Sequence, residues 1–135
     1  MNISIGAQWL NDYASALEQA DSQAIAQLFH PGLAYIVNDK LHQGSASFCN
    51  QATWQLIFTK IEFRSAKAHN LMEVYPGHIT YHEVLKIRIK LNGEELEGHF
   101  GDQSVVNSDG KMLLINRIAD PAYFTKFTSA LTNNS

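Results

Sequence analysis

The sequence has little cysteine, few basic residues and no long apolar run, and each shortage excludes a class of protein. The single cysteine, Cys49, rules out an internal disulfide framework and supplies no metal-binding pair. The ten lysines and arginines are scattered and the net charge is −3, so we expect no nucleic-acid partner and no anionic membrane surface. No apolar run approaches the roughly 20 residues that span a bilayer. The opening residues also lack the basic start of a secretory signal, so we expect a cytoplasmic location.

The first half of the chain has the spacing of helices. We expect a single domain over residues 1–135, since the sequence shows no linker or repeat. Apolar residues recur at helical intervals between residues 5 and 30, and Asp21 divides them as the N-cap of a second helix. Pro31-Gly32 is predicted to end that helix, before a short strand over 33–37. A third helix is predicted over 45–61.

The second half has the pattern of an antiparallel meander. Four strand-like runs lie between about residues 64 and 119, separated by Pro76-Gly77, Asn92-Gly93 and Asp109-Gly110. A short last helix is predicted from Pro121. Helices followed by a meander predict an α+β domain in which the helices cover one face of a curved sheet.

Alternation along the meander places several polar residues on the covered face. Glu95 and Glu97 must face water, so Asp102, which is in the opposite phase of that strand, must face the interior. An unpaired buried carboxylate is costly, so Asp102 needs either a binding role or a hydrogen-bonding partner in the structure. In the strand over 78–91, Leu85 is predicted to face inward. The same inward phase includes Glu83 and Tyr81 before it and Leu91 after it. In the last strand either Asn116 or Arg117 faces inward, and parity does not decide between them.

The order of these elements resembles the nuclear transport factor 2-like superfamily, which includes the SnoaL-like polyketide cyclases and the ketosteroid isomerases. The resemblance rests on WLNDYASALEQADSQAIAQLF as an opening helix pair, a third helix after Gln43-Gly44, the meander, and the ending DGKMLLINRIAD. It implies a cystatin-like fold: a cone-shaped, curved, mostly antiparallel sheet with three N-terminal helices on its concave face. It also implies a homodimer formed through the outer face of the sheet.

Comparison with the ketosteroid isomerases implies roles for particular residues. Tyr13 and a protonated Asp102 match the two donors of their oxyanion hole, a role known for a neutral aspartic acid in that enzyme. Val37 stands where their catalytic base lies, so Asp39 or Glu83 would have to move the proton. The implied function is a cofactor-independent isomerase, cyclase or lyase that stabilises an enolate-like oxygen on a small ketone or polycyclic substrate. The alternative is a non-catalytic protein that binds a small apolar or aromatic molecule in the same cone.

The remaining candidates form the wall of the expected pocket. Predicted ligand-binding residues are Trp9, Trp54, Phe58, Leu85, Phe100 and Asn116, although the aromatic ones serve equally well as core. We expect no metal, because no two of the six histidines are spaced i, i+4 on a predicted helix: His78 and His82 lie on a predicted strand, in the outward phase of Lys86, Arg88 and Lys90. We expect no cofactor either. The phase of His69 is left open.

Overall fold

The computed structural model describes residues 3–132, which include four α-helices. Their bounds are Ile5–Glu18 (α1), Ser22–Ala26 (α2), Gln51–Lys60 (α3) and Pro121–Thr132 (α4). Ser4, Asp21 and Asn50 are the N-caps of the first three, and each side chain accepts a hydrogen bond from a backbone N–H of the first turn. The predicted cap at Asp21 is confirmed.

Six strands form one mixed sheet, and the predicted α+β fold class is confirmed. Their bounds are Phe29–Val37 (β1), Lys40–Leu41 (β2), Ile61–Tyr75 (β3), His78–Ile89 (β4), Glu95–Val106 (β5) and Met112–Ala119 (β6). The strand order is β2-β1-β6-β5-β4-β3. β1 runs parallel to β6, and every other neighbouring pair is antiparallel. The four-stranded meander that the turn residues predict is therefore present.

Three element boundaries differ from the predictions. The helix predicted over 45–61 is divided into a 3-10 turn, Ser45–Cys49, and α3, because Asn50 has an extended backbone and caps α3. β1 begins at Phe29, and Pro31 lies where the pairing with β6 shifts register, a place where a missing N–H costs little. β4 ends at Ile89, so Leu91 is exposed and not inward as predicted.

Burial along the strands separates an inner face from an outer face. Tyr81, Glu83 and Leu85 on β4 and Asp102 on β5 are all buried. In β6 it is Arg117 that faces inward, with 8% of its surface exposed, whereas Ile118 beside it is 57% exposed. Asn116 therefore lies on the outer face, in register with exposed Gln103, and its predicted place in the pocket wall is wrong.

The outer face carries a chain of histidines. His82 Nε2 and His99 Nδ1 are 2.9 Å apart, His99 Nε2 lies 3.1 Å from Glu97, and the His69 ring lies beside that of His82. Residues 3–132 contain no group of three or more His, Cys, Asp or Glu side chains that could hold a metal ion. Homodimerisation through this face stays a prediction. Within the same range, the helices are all too short or too polar to cross a membrane.

One carboxylate ties the start of α1 to the sheet. Glu73, near the end of β3, accepts hydrogen bonds from the Gly6 N–H at 3.0 Å and from the Gly77 N–H at 2.8 Å, and also from the Ser4 hydroxyl. The bond from Gly6 satisfies an N–H group of the first turn of α1 that has no partner within the helix. The position of α1 over the sheet is thereby fixed at the β3–β4 turn.

The last helix packs against a glycine of β5. A Cβ atom on Gly98 would stand 2.6–2.8 Å from ring atoms of Tyr123, a side chain of α4. Tyr123 also contacts Phe100 edge to face, with ring centroids 5.3 Å apart. Gly98 thus allows the close approach of α4 to the inner face of the sheet.

We predict that Gly98→Ala lowers the free energy of unfolding by about 1–3 kcal/mol, because the Tyr123 ring and α4 must move to admit the methyl group. Chemical denaturation measures this change. Gly101→Ala on the same strand is the control, since a Cβ at Gly101 meets no atom within 4 Å. Equal stability of the two variants would contradict the close-approach explanation.

Candidate functional site

An aromatic cavity lies between the helices and the inner face of the sheet. Its volume is about 100 Å³, and its walls come from α1, β1, the 3-10 turn, α3, β3, β4, β6 and α4. The rings of Phe29, Phe48 and Trp54 make up much of the wall. The polar side chains among its lining residues are Tyr13, Tyr35 and Arg117. The cavity therefore offers an apolar volume together with one cationic group.

Arg117 and Asp102 form a buried two-bond ion pair beside this cavity. Arg117 Nε donates to Asp102 Oδ1 and Arg117 Nη2 donates to Oδ2, both at 2.8 Å. The Asp102 side chain is fully buried, and the guanidinium lies 4.2 Å from the centre of the Phe100 ring. Burial alone would lower the pKa of Arg117, but the adjacent Asp102 carboxylate outweighs it and the pKa is raised.

The pairing corrects the predicted state of Asp102. Both of its carboxyl oxygens accept N–H bonds from a guanidinium, which is the bonding pattern of a carboxylate and not of a neutral acid. The interpretation of Asp102 as a protonated donor is therefore wrong. The inward position predicted from alternation is correct, and the cost of burying the charge is offset by Arg117.

Several hydrogen-bond donors remain unused at the polar end of the cavity. A guanidinium has five N–H donors, and Arg117 gives two of them to Asp102, so three have no side-chain partner among residues 3–132. The hydroxyls of Tyr13 and Tyr35 have no hydrogen-bond partner among residues 3–132. Burial raises the pKa of Tyr13, and the opposing effect of Arg117 is smaller, so this hydroxyl keeps its proton and can donate it.

Tyr13 is held in place by its aromatic neighbours. Its ring stacks on Trp9, with centroids 4.8 Å apart, and meets Phe29 edge to face. Trp9 donates its indole N–H to the Leu28 carbonyl at 2.8 Å and is itself buried. Trp9 thus supports Tyr13 from behind, and Tyr13 is the member of the pair that lines the cavity.

The other predicted site residues divide into two groups. Trp54 and Leu85 line the aromatic cavity. Phe58 and Phe100 are buried behind it, Phe58 against Trp54 and Phe100 beneath Arg117. Phe58 and Phe100 contact residues that line the cavity but do not form its wall themselves. The same is true of Trp9.

The predicted general base Asp39 lies away from the cavity. It is exposed in the β1–β2 turn, with a left-handed backbone (φ 69°). The preceding Asn38 fixes the turn by bonding both backbone groups of Ala119. Val37 is buried on the inner face in register with Arg117, so the last residue of β1 provides no acid or base to the cavity. The prediction of Asp39 as a base for this cavity is wrong.

Two polar residues that line the aromatic cavity, Tyr35 and Arg117, were not among the predicted site residues. Tyr35 lies two residues before Val37, which stands at the position that the resemblance matches to the catalytic base. Residues two apart on a strand face the same side, so alternation along β1 could have predicted that Tyr35 faces the cavity. Arg117 was one of two alternatives, and only its register with Asp102 distinguishes it.

Glu83 is buried but opens on a different space. It is 2% exposed, stands on β4 in register with Phe100 and Ala68, and has no hydrogen-bond partner among residues 3–132. Burial raises its pKa to about 8; Arg117 opposes this shift and Asp102 adds to it. Glu83 lines a groove between α1 and β3, hereafter the α1–β3 groove, and is not among the residues that line the aromatic cavity.

We predict that Glu83 makes the protein less stable as the pH rises. The pKa is about 8 in the folded chain and about 4.3 in an unfolded one, so the folded state retains a proton that the unfolded state loses. The contribution of Glu83 is therefore fully present below the unfolded pKa and is lost as the pH rises through the folded pKa. Between pH 4.5 and 8 the loss is about 2–5 kcal/mol.

Denaturant unfolding of Glu83→Gln at pH 5, 6.5 and 8 measures this effect. The variant should gain stability relative to the wild type as the pH rises, because a glutamine cannot ionise. Asp39→Asn is the control for an exposed carboxyl. A constant difference between wild type and Glu83→Gln across this range would contradict the raised pKa.

Comparison with known proteins supports the fold alone. No protein-family model matches the sequence, and no curated protein matches it. Among solved structures, an LEH-like epoxide hydrolase from M. tuberculosis is similar with a TM-score of 0.69 and 15% identity, covering 94% of this chain and 92% of that one. A steroid delta-isomerase from Pseudomonas aeruginosa is similar with a TM-score of 0.60 and 16% identity, covering 96% and 90%. An NTF2-like protein from Burkholderia xenovorans LB400 has a TM-score of 0.63 and 14% identity, covering 92% and 95%. The chain therefore has the nuclear transport factor 2-like fold that its element order suggested.

Proposed function

We propose that the protein binds a small apolar or aromatic molecule in the aromatic cavity through one electron-rich oxygen, which Arg117 and Tyr13 hold. The observation that carries this proposal is the set of three unused N–H donors on Arg117, a residue that lines a mostly aromatic wall. Asp102 already neutralises and orients the guanidinium. The ligand oxygen would then receive hydrogen bonds from a fixed cation and a fixed phenol, as in an oxyanion site.

The size of the cavity limits the ligand. An apolar cavity of about 150 Å³ holds benzene, and the aromatic cavity is about 100 Å³. This volume supports a single-ring ligand, admitted with small adjustments of the wall, over the polycyclic substrates that the resemblance implied.

Binding of substituted phenols tests this proposal. Small fluorinated phenols of decreasing pKa should bind with increasing affinity, because the more acidic phenols place more negative charge on the oxygen that Arg117 contacts. Tyr13→Phe should weaken binding about 3- to 10-fold, and Arg117→Lys should weaken it about tenfold or more, in line with losing a neutral and a charged hydrogen bond. Isothermal titration calorimetry measures both.

Tyr75→Phe is the matched control, because Tyr75 is exposed at the end of β3, outside the cavity. It should bind phenols like the wild type. Affinities that do not vary with phenol acidity, and that survive both Tyr13→Phe and Arg117→Lys, would contradict a role for these donors.

A second candidate function is catalytic: a cofactor-independent isomerase or lyase that stabilises an enolate on the same donors. Two observations favour it. The pKa of Glu83, about 8, suits proton transfer near neutral pH. The similar structures also include a steroid delta-isomerase and an epoxide hydrolase. Against it stand Val37 at the end of β1 and the opening of Glu83 on the α1–β3 groove.

Deuterium exchange at the α-carbon of small cyclic ketones separates the two functions. A catalytic site should accelerate exchange above the buffer rate, and Glu83→Gln should abolish the acceleration while phenol binding persists. Exchange at the buffer rate, together with tight phenol binding, would leave the binding function alone.

A further inference from the structure

We propose that the α1–β3 groove is a second, separate ligand site that binds a small alkylammonium ion, with Glu83 as its anionic anchor. The groove is about 320 Å³ in volume, and Glu83 is the acidic residue among those that line it. This site is independent of the binding function proposed for the aromatic cavity, which Arg117 and Tyr13 carry. It uses a carboxyl group that no other side chain in residues 3–132 engages.

The pairing of charges on the inner face leaves Glu83 without a counter-ion. Three ionisable groups lie close together there, one basic and two acidic: Arg117, Asp102 and Glu83. Both oxygens of Asp102 are bonded to Arg117, whereas no cationic side chain of residues 3–132 lies within the 4.0 Å ion-pair distance of Glu83. When Glu83 ionises, this centre carries one unmatched negative charge, which a bound cation would neutralise.

The walls of the groove suit an alkyl group. The side chains on its α1 wall include Ala7, Leu10 and Ala14, and those on its β3 wall include Ala66 and Ala68. These small apolar side chains leave space beside the carboxyl, and the other polar side chains that line the groove are Asn11, Lys67 and His69. An ammonium head with a short aliphatic chain matches both the buried carboxyl and these walls.

The groups around Glu83 determine how binding depends on pH. These are Tyr13 on α1, Lys67 and His69 on β3, Tyr81 on β4, Asp102 on β5 and Arg117 on β6. Burial raises the pKa of Tyr13 and of Tyr81, so both hydroxyls keep their protons. The ionisation of Glu83 is therefore the change in charge on which cation binding at the groove depends.

Titration with n-butylammonium chloride tests the site. Affinity should rise about tenfold from pH 7 to pH 9, as the ionised fraction of a group with a pKa of about 8 rises from about a tenth to about nine-tenths. At pH 7, binding should release about one proton, seen as a dependence of the calorimetric heat on the buffer. 1-Butanol, which has the same chain and no charge, should bind at least tenfold more weakly.

Two variants connect this binding to the groove. Glu83→Gln should abolish butylammonium binding, whereas Asp39→Asn, the same change at an exposed carboxyl, should leave it unaltered. Ala14→Leu should block the groove while Glu83 remains in place, and circular dichroism checks its fold. The proposal is overturned if the wild type shows no saturable binding at pH 9, if Glu83→Gln binds equally well, or if 1-butanol binds as tightly as butylammonium.

Discussion

The inner face of the sheet depends on the ion pair between Arg117 and Asp102. Two charges removed from water are costly, and they are tolerated here because two parallel hydrogen bonds at 2.8 Å match the guanidinium to the carboxylate. The pair joins adjacent strands, β5 and β6, and the guanidinium rests on the ring of Phe100. An arginine fixed in this way presents its remaining donors in a constant direction. Tyr13 and Tyr35 share the cavity lining with it, and Tyr81 is engaged by Ser104 in a hydrogen bond of 3.1 Å.

α1 divides this face into two environments. Tyr13 lies on the side of the helix that lines the aromatic cavity, while Leu10 and Ala14 line the groove towards β3. Arg117 and Glu83 belong to one electrostatic centre, yet they open on different spaces. The Asp102 carboxylate keeps Arg117 charged despite its burial, whereas burial without a partner favours the neutral form of Glu83. The same inner face thus presents a permanent cation to one space and a titratable acid to the other.

The sequence predicts the fold better than it predicts the chemistry. Turn residues and alternation locate the meander, and the short polar side chain of Asp21 locates a helix start, because these signals are local. Alternation also places Asp102 inward. Its ionisation state depends on Arg117, and MLLINRIA has apolar residues in both phases, so local pattern cannot choose between Asn116 and Arg117. The break in the third predicted helix depends on a single cap, Asn50, within a run that otherwise continues with helical spacing.

Because β1 pairs in parallel with β6, the cavity forms only after elements that are synthesised late are present. Tyr35 lies in register with Ile115, and Val37 with Arg117. A strand that is synthesised early therefore pairs with one that is synthesised much later. α4, which follows β6, supplies Phe127 and Leu131 to the same cavity. During synthesis, α1, β1 and α3 emerge long before the residues that enclose the ligand space. Contacts between distant parts of a chain form late and slowly. A nascent chain therefore cannot enclose its aromatic cavity before β6 and α4 have been synthesised, and ligand binding reports on molecules in which these two elements are in place.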